Sequence, residues 1–266
     1  CTIISRSNTS AGLVFDGSGA DIINNTLEYC FITSDIGAAS GLMDKTSYTY
    51  DRIISTNHLT NCVIEGKTEA VGLIRDLKGS VNDCKIIACN IKSTNGNASG
   101  FVSSTQYTIN NSSISNSIIE APKGSAVGII QTYTKAEYNN LEKIEVNNCR
   151  ITGSSAAGFA NTNLGVINEC TVVSSENSAV TNIIDRIEES CGIYGNTEAA
   201  GFINANSGGN IQNSHVISIV EANVVIKETN TDVIEEIKAA GFVGINSSTI
   251  EKCYYSGTVE AKAVTD

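Results

Sequence analysis

The stretch Ile86-Ile87-Ala88-Cys89-Asn90-Ile91, followed eleven residues after its cysteine by the glycine of Ala98-Ser99-Gly100-Phe101-Val102, decides the fold. Both halves recur down the chain. The glycine half returns as Ala11-Gly12-Leu13-Val14, Ala39-Ser40-Gly41-Leu42-Met43, Ala70-Val71-Gly72-Leu73-Ile74, Ala126-Val127-Gly128-Ile129-Ile130, Ala156-Ala157-Gly158-Phe159-Ala160, Ala199-Ala200-Gly201-Phe202-Ile203 and Ala239-Ala240-Gly241-Phe242-Val243. The cysteine half, apolar-x-x-Cys/Ser-x-apolar, places Cys30, Cys62, Cys89, Ser117, Cys149, Cys170, Ser214 and Cys253 in one slot, and Cys1 fits it with Ile3 two residues on.

The spacing carries the argument. From slot to following glycine the first six copies count 11, 11, 10, 11, 11 and 9 residues, while from glycine to the next slot they count 18, 21, 17, 17, 21 and 12. One arm is fixed and the other elastic. The same rule predicts a degenerate coil in which Thr181 takes the glycine position and Ser190 the next slot, giving ten slots at 1, 30, 62, 89, 117, 149, 170, 190, 214 and 253. A unit of this kind cannot bury its apolar face alone, so units must stack. Runs such as Val63-Ile64, Ile118-Ile119 and Val172-Val173 are strand-forming. Neither the frame of a leucine-rich repeat nor the six-residue period of a left-handed β-helix is present, and right-handed crossover is the rule for parallel strands. The expectation is an all-β chain: a single right-handed parallel β-helix of about ten coils over residues 1–266, with the eight glycines in one longitudinal row. The slot side chains should point inward as small buried groups. Asn61, Asn116, Asn148 and Asn213, each just before a slot, should form a polar stack at the turn. Between Ser214 and Gly241 lie 27 residues instead of eleven, which predicts a protruding hairpin or extra short coil over 217–238.

Composition agrees with many strands and polar turns. There are 23 Gly, one Pro, no Trp, one Met and two His, and the net charge is −11. An acidic chain without clustered Lys and Arg is a poor binder of nucleic acid. No segment reaches the roughly 20 apolar residues of a membrane span, so no membrane insertion is expected. No charged n-region or apolar h-region follows Cys1, so no signal peptide is expected; the abrupt start there and end at Asp266 suggest a piece of a longer chain.

Nine cysteines raise the question of metal or disulfide chemistry. Seven fill the slot, Cys84 and Cys191 lie beside it, no CxxC occurs, and His58 and His215 are not at zinc-ligand spacing. They read as buried free thiols acting as small apolar residues, with disulfides between adjacent coils as the alternative. No metal site and no cofactor are expected. Asp16-Gly17-Ser18-Gly19-Ala20-Asp21 lacks the acid a calcium loop needs at its twelfth position, which is Leu27. Acidic clusters at Asp185–Glu189 and Asp232–Glu236 sit on single loops and read as solvated faces. No catalytic residue is assigned. The candidate binding residues are Tyr48, Tyr50, Tyr133 and Tyr138, placed at the tips of the elastic arm, because loops on a rigid scaffold are where binding concentrates. Tyrosines packed on the rod within ordinary loops are the competing reading.

The pattern Ala-x-Gly-[Leu/Phe/Ile]-[Val/Ile] followed by Ile-x-Asn-Cys-x-Val resembles the GLUG motif of large bacterial surface proteins, including adhesins and non-catalytic regions of IgA-cleaving peptidases. The resemblance spans nearly the whole chain, and its fullest copy is Ala240-Gly241-Phe242-Val243-Gly244 with Ile250-Glu251-Lys252-Cys253. The motif's second glycine occurs only at Gly244; the other copies carry Phe15, Asp44, Arg75, Ser103, Gln131, Asn161 and Asn204 there. The resemblance implies a non-enzymatic stalk or adhesive segment at the cell surface, with a host or neighbouring-cell protein or glycan as partner. A polysaccharide-degrading β-helix enzyme and a repeat segment of an extracellular or cytoskeletal filament are the alternatives.

Overall fold

The computed structural model describes residues 1–17, 19–46, 52–134, 139–175, 178–183, 186–226 and 236–265. Its regular structure is strand throughout. Each coil offers five strand positions, which in the third coil are Val63–Gly66, Glu69–Val71, Ile74–Asp76, Ser80–Asn82 and Lys85–Ile87. Each strand pairs in parallel with its counterparts one coil away: Val63–Gly66 registers with Phe31–Ser34 on one side and Asn90–Ser93 on the other. The first two positions share a fourteen-stranded sheet, and each of the other three forms an eight-stranded sheet. The protein is therefore a parallel β-helix.

Register turns sequence periodicity into a core. Side chains alternate across a strand, so in-register pairing lays identical positions on top of one another. Ile32, Ile64, Ile91, Ile119, Ile151 and Ile193 form one such column, each at most 1% exposed. One hydrophobic cluster runs from Ile22 to Ala222. Near its end Phe159, Phe202 and Phe242 stack face to face, with ring centroids 4.7 and 4.9 Å apart, adding an aromatic term to area burial.

The glycine row is present as expected, and its cause is close approach. A Cβ on Gly12, Gly41, Gly72, Gly100, Gly128, Gly158 or Gly201 would collide with the carbonyl oxygen of the row's next glycine, one coil ahead. None of the eight has a left-handed φ. The bends that do need left-handed backbone lie elsewhere, at pairs five residues apart: Asn24 and Tyr29, Thr56 and Asn61, Asp83 and Ala88, Asn111 and Asn116, Lys143 and Asn148. Each pair brackets the fifth strand. Asparagine is enriched there because it tolerates this conformation. The expected asparagine stack is thus a set of backbone corners, and Asn213 belongs to the opposite corner from Asn61, Asn116 and Asn148.

Two further expectations are corrected. The coils number eight, with Val259–Thr265 beginning a ninth, instead of about ten. The two corners flanking the fifth strand have the same local sequence, so one slot was read where there are two columns. Cys30, Cys62, Cys89, Ser117 and Cys149 follow the second corner; Cys84, Ser112, Cys170, Ser214 and Cys253 follow the first. The degenerate coil is a hairpin outside the stack, in which Ala179–Thr181 pairs antiparallel with Glu188–Ser190. Within 217–238, Val220–Ile226 is an in-register strand against Val259–Thr265, and Lys238–Ala240 rejoins the ladder beside Glu198–Ala200. Residues 227–235 lie outside the described residues.

Candidate functional site

The slot residues do more than fill a narrow interior. Each follows a left-handed corner, and its side chain reaches back over that corner to the carbonyl two residues earlier. Ser112, Ser117 and Ser214 donate their hydroxyls to Asn110, Ser115 and Gln212 at 2.7–2.8 Å. The thiols of Cys62, Cys84, Cys89 and Cys149 make the same contact at 3.4 Å with Thr60, Asn82, Ile87 and Asn147. The slot side chain also accepts a backbone N–H from the preceding coil: Cys62 donates to Cys89 Sγ at 3.4 Å, Cys89 to Ser117 Oγ at 3.0 Å, Cys84 to Ser112 Oγ at 3.2 Å and Cys170 to Ser214 Oγ at 3.1 Å. A buried N–H next to a left-handed residue has no ladder partner of its own kind, so this bond is what satisfies it. Cysteine and serine are interchangeable here because both are short and both donate and accept.

All nine cysteines are free, and seven of them are buried. Burial pushes the Cys149 and Cys170 thiols up to about 12. Contact with Cys62, together with burial, holds Cys89 well above the ordinary thiol range, while the same contact pulls Cys62 downward. Reactive thiols are exposed and depressed in pKa, and Cys149 and Cys170 are the opposite.

A charged cluster of Asp44, Glu69 and Arg75 lies on the outside of the glycine corner. Val71 and Val127 are fully buried yet stand outside the main core, because their neighbours Ala70 and Ala126 take the inward positions. The residues three places after each glycine, Asp44, Arg75, Ser103, Gln131, Asn161 and Asn204, roof this outer face, with Ser103, Gln131 and Asn204 bonding back onto the second strand position. The roof is bonded from coil to coil. Arg75 grips Asp44 through two bonds, Nε to Oδ1 at 2.7 Å and Nη2 to Oδ2 at 3.0 Å, and the Asp44 side chain is 2% exposed. Ser103 donates its hydroxyl to Glu69. Gln131 donates to the carbonyls of Ala98 and Ser125 at 2.9 and 2.8 Å, and Asn204 to Asn161 at 3.0 Å. Burial pushes the Glu69 carboxyl up, against the opposing pull of Ser103 and Arg75. The residues that vary three places after each glycine therefore build this roof. Their signal was visible as a departure from a repeat, without the register that brings them together.

The four tyrosines divide. Tyr133 is not at a loop tip: it ends the strand Ile130–Tyr133 and is fully buried. Its ring fills the space that a side chain on Gly165 would take, and burial raises its hydroxyl pKa. Tyr48, Tyr50 and Tyr138 lie outside the described residues, as do Asp185 and residues 232–235 of the acidic clusters. Of the remaining acids there, Glu189 pairs with Arg150 at 2.6 Å and Glu236 with Lys238 at 2.9 Å. Asp21, in the segment compared with a calcium loop, accepts the Ile53 N–H at 3.0 Å. Among the described residues no group of three or more His, Cys, Asp or Glu is arranged to hold a metal ion. No helix among them is long and apolar enough to cross a membrane. No family model, no curated protein and no solved structure matches this chain.

Proposed function

We propose that this chain is a non-enzymatic rod from a large extracellular surface protein, acting as a spacer or adhesive surface. The observation that carries the reading is the coil-to-coil use of polar chemistry. Slot side chains, roof residues and the buried amides Asn163 and Asn206, joined at 3.0 Å, bond to the next coil. Such bonds stiffen a stack and leave its outer faces free to vary. The likeness of the repeat to the GLUG motif supports the same class and the same setting, with a host or neighbouring-cell protein or glycan as partner. Asp44, Glu69 and Arg75 favour the second reading, a polysaccharide-cleaving β-helix, since paired carboxylates beside a cation are what glycosidic chemistry uses. Their bonds to each other and to Ser103 weigh against it.

The test is to coat beads with the rod and measure retention on cell layers, before and after protease or glycosidase treatment of the layer, and in parallel to assay release of new chain ends from a polysaccharide panel. Retention that is lost on treatment, without chain cleavage, is expected. Cleavage abolished by Asp44→Asn or Glu69→Gln would overturn the proposal in favour of the enzyme.

A further inference from the structure

The second corner of the fifth strand stacks cysteines on consecutive coils: Cys1, Cys30, Cys62 and Cys89. Register sets them in a file, since the residues that follow them, Thr2, Phe31, Val63 and Asn90, are successive partners in one ladder. The ladder bonds continue through the slot. Phe31 donates to Cys1 O at 2.8 Å, Val63 to Cys30 O at 2.8 Å and Asn90 to Cys62 O at 2.9 Å. Neighbours bonded in this way stand about 4.8 Å apart, inside the Cα range that a disulfide spans. The sulfurs are close as well. Those of Cys30 and Cys62 reach the carbonyls of the consecutive residues Glu28 and Leu27, each at 3.4 Å, and the thiols of Cys30 and Cys89 both contact that of Cys62.

The hydrogen-bonding role of the slot does not ask for such a run. Serine serves it too, and in the column at the first corner cysteines do not adjoin: Ser112 follows Cys84, Ser214 follows Cys170 and Cys253 follows Ser214. The file also grades from outside to inside. Cys1 is exposed, Cys30 is 6% exposed, and Cys62 and Cys89 are fully buried. A thiolate attacks a disulfide sulfur in line with the bond that breaks, passing the disulfide on, and a file repeats that alignment from coil to coil. Cys62, which its contact with Cys89 pulls down to about 6, is thiolate at neutral pH and is the ready nucleophile in the middle.

We infer that Cys1, Cys30, Cys62 and Cys89 form a thiol–disulfide relay that carries oxidation from the first coil into the core and leaves neighbouring coils stapled. The oxidant is a small disulfide, RSSR. Cys1 attacks it and releases one RSH; Cys30 displaces the second RSH and closes the Cys1–Cys30 bond. Cys62 then attacks the Cys30 sulfur, forming Cys30–Cys62 and returning Cys1 as a thiol. Cys89 attacks Cys62, forming Cys62–Cys89 and returning Cys30. A second RSSR closes Cys1–Cys30 again. Four thiols are thus oxidised to two disulfides while two RSSR are reduced to four RSH. Ser117, next in the column, ends the file because a hydroxyl does not take part in the exchange. The relay does not depend on the adhesive reading.

The test incubates the whole 266-residue chain with oxidised glutathione under native conditions, then denatures, alkylates and maps it by mass spectrometry, with circular dichroism showing that the protein stays folded during oxidation. Free thiols are expected to fall from nine to five, nine less the four of the file, with bridges Cys1–Cys30 and Cys62–Cys89 and with Cys84, Cys149 and Cys170 alkylated. In Cys1→Ser the Cys62–Cys89 bridge should form about tenfold more slowly, since the exposed entry thiol is gone. In Cys89→Ser, which keeps the slot's hydrogen bonds, a single bridge should divide between Cys1–Cys30 and Cys30–Cys62. Nine thiols remaining, glutathione held on Cys1 alone, a Cys1–Cys30 bridge with Cys62 and Cys89 still free, bridges that include Cys84 or Cys170, or an unchanged rate in Cys1→Ser would overturn the inference.

Discussion

Replacing Cys89 by serine and by alanine separates two accounts of the slot. If the slot only needs a small apolar side chain, alanine should be the better replacement, since it buries no polar group. The geometry says otherwise. Cys89 is fully buried; its sulfur accepts the Cys62 N–H at 3.4 Å and donates to Ile87 at 3.4 Å. Alanine leaves the Cys62 N–H buried and unpaired, at a cost of about 1–3 kcal/mol. The void where the sulfur was adds about 1 kcal/mol. Serine keeps both bonds, as Ser117 does one coil on, and should cost about 1 kcal/mol or less. Urea unfolding should therefore rank wild type above Ser and Ser above Ala, with the two variants about 1–3 kcal/mol apart. Amide exchange localises the effect: the Cys62 N–H should lose protection in Cys89→Ala and keep it in Cys89→Ser. An alanine variant as stable as the serine one, or a Cys62 amide equally protected in both, would refute the hydrogen-bonding account.

Other outcomes follow from the same structure. Gly100→Ala drives a Cβ into the Gly128 carbonyl, which no rotamer relieves; overpacking and weakened ladder bonds should together cost about 3–5 kcal/mol by urea melt, against no change for Ser104→Ala on the exposed face. Arg75→Ala strands the buried Asp44 carboxylate and should cost about 2–4 kcal/mol, with part of the loss recovered in the Arg75→Ala, Asp44→Ala double variant. Glu69 is raised by burial above its ordinary 4.5, so the folded state holds its proton more tightly than the unfolded one. Its contribution is then largest at low pH and falls as pH rises from 4.5 through the folded value. Glu69→Gln should be the more stable protein at neutral pH and match wild type near pH 4, by thermal melts across that range. Ala88, a left-handed corner with φ of 51°, should gain about 1 kcal/mol in Ala88→Gly.

How far the sequence could be read depended on what each residue does locally. The glycine row was legible because a backbone collision tolerates no substitute, so the residue recurs in every coil. Strand columns were legible for a similar reason, as Ile64 and Ile91 repeat a requirement that alternation makes periodic. The slot was misread because both corners of the fifth strand ask for the same short donor-acceptor side chain. Cys149 and Cys170 therefore look alike in sequence and stand on different edges of the rod. The shift from one column to the other at Cys170 shortened the apparent period and created one surplus coil; the hairpin at 179–190 supplied the second. The roof over the glycine corner was the hardest part. Asp44, Arg75 and Ser103 share a position but no chemistry, and only register makes them neighbours. Tyr133 was misplaced because a strand end and a loop start differ by one residue. What decides between them is Gly165, more than thirty residues away.

The chain leaves its stack between Val173 and Gly192 to form a hairpin, and it re-enters with Ile193 directly over Ile151. Departure and return cost the fold nothing in alignment, because the corner N–H, the glycine carbonyl and the alternating side chains re-establish position within each coil. Phase is thus stored locally, and a copying error in the length of an excursion is not passed on to later coils. A lineage built on this plan can lengthen, shorten or replace what it displays one excursion at a time, with the neighbouring coils as the only part of the rod that has to accommodate the change.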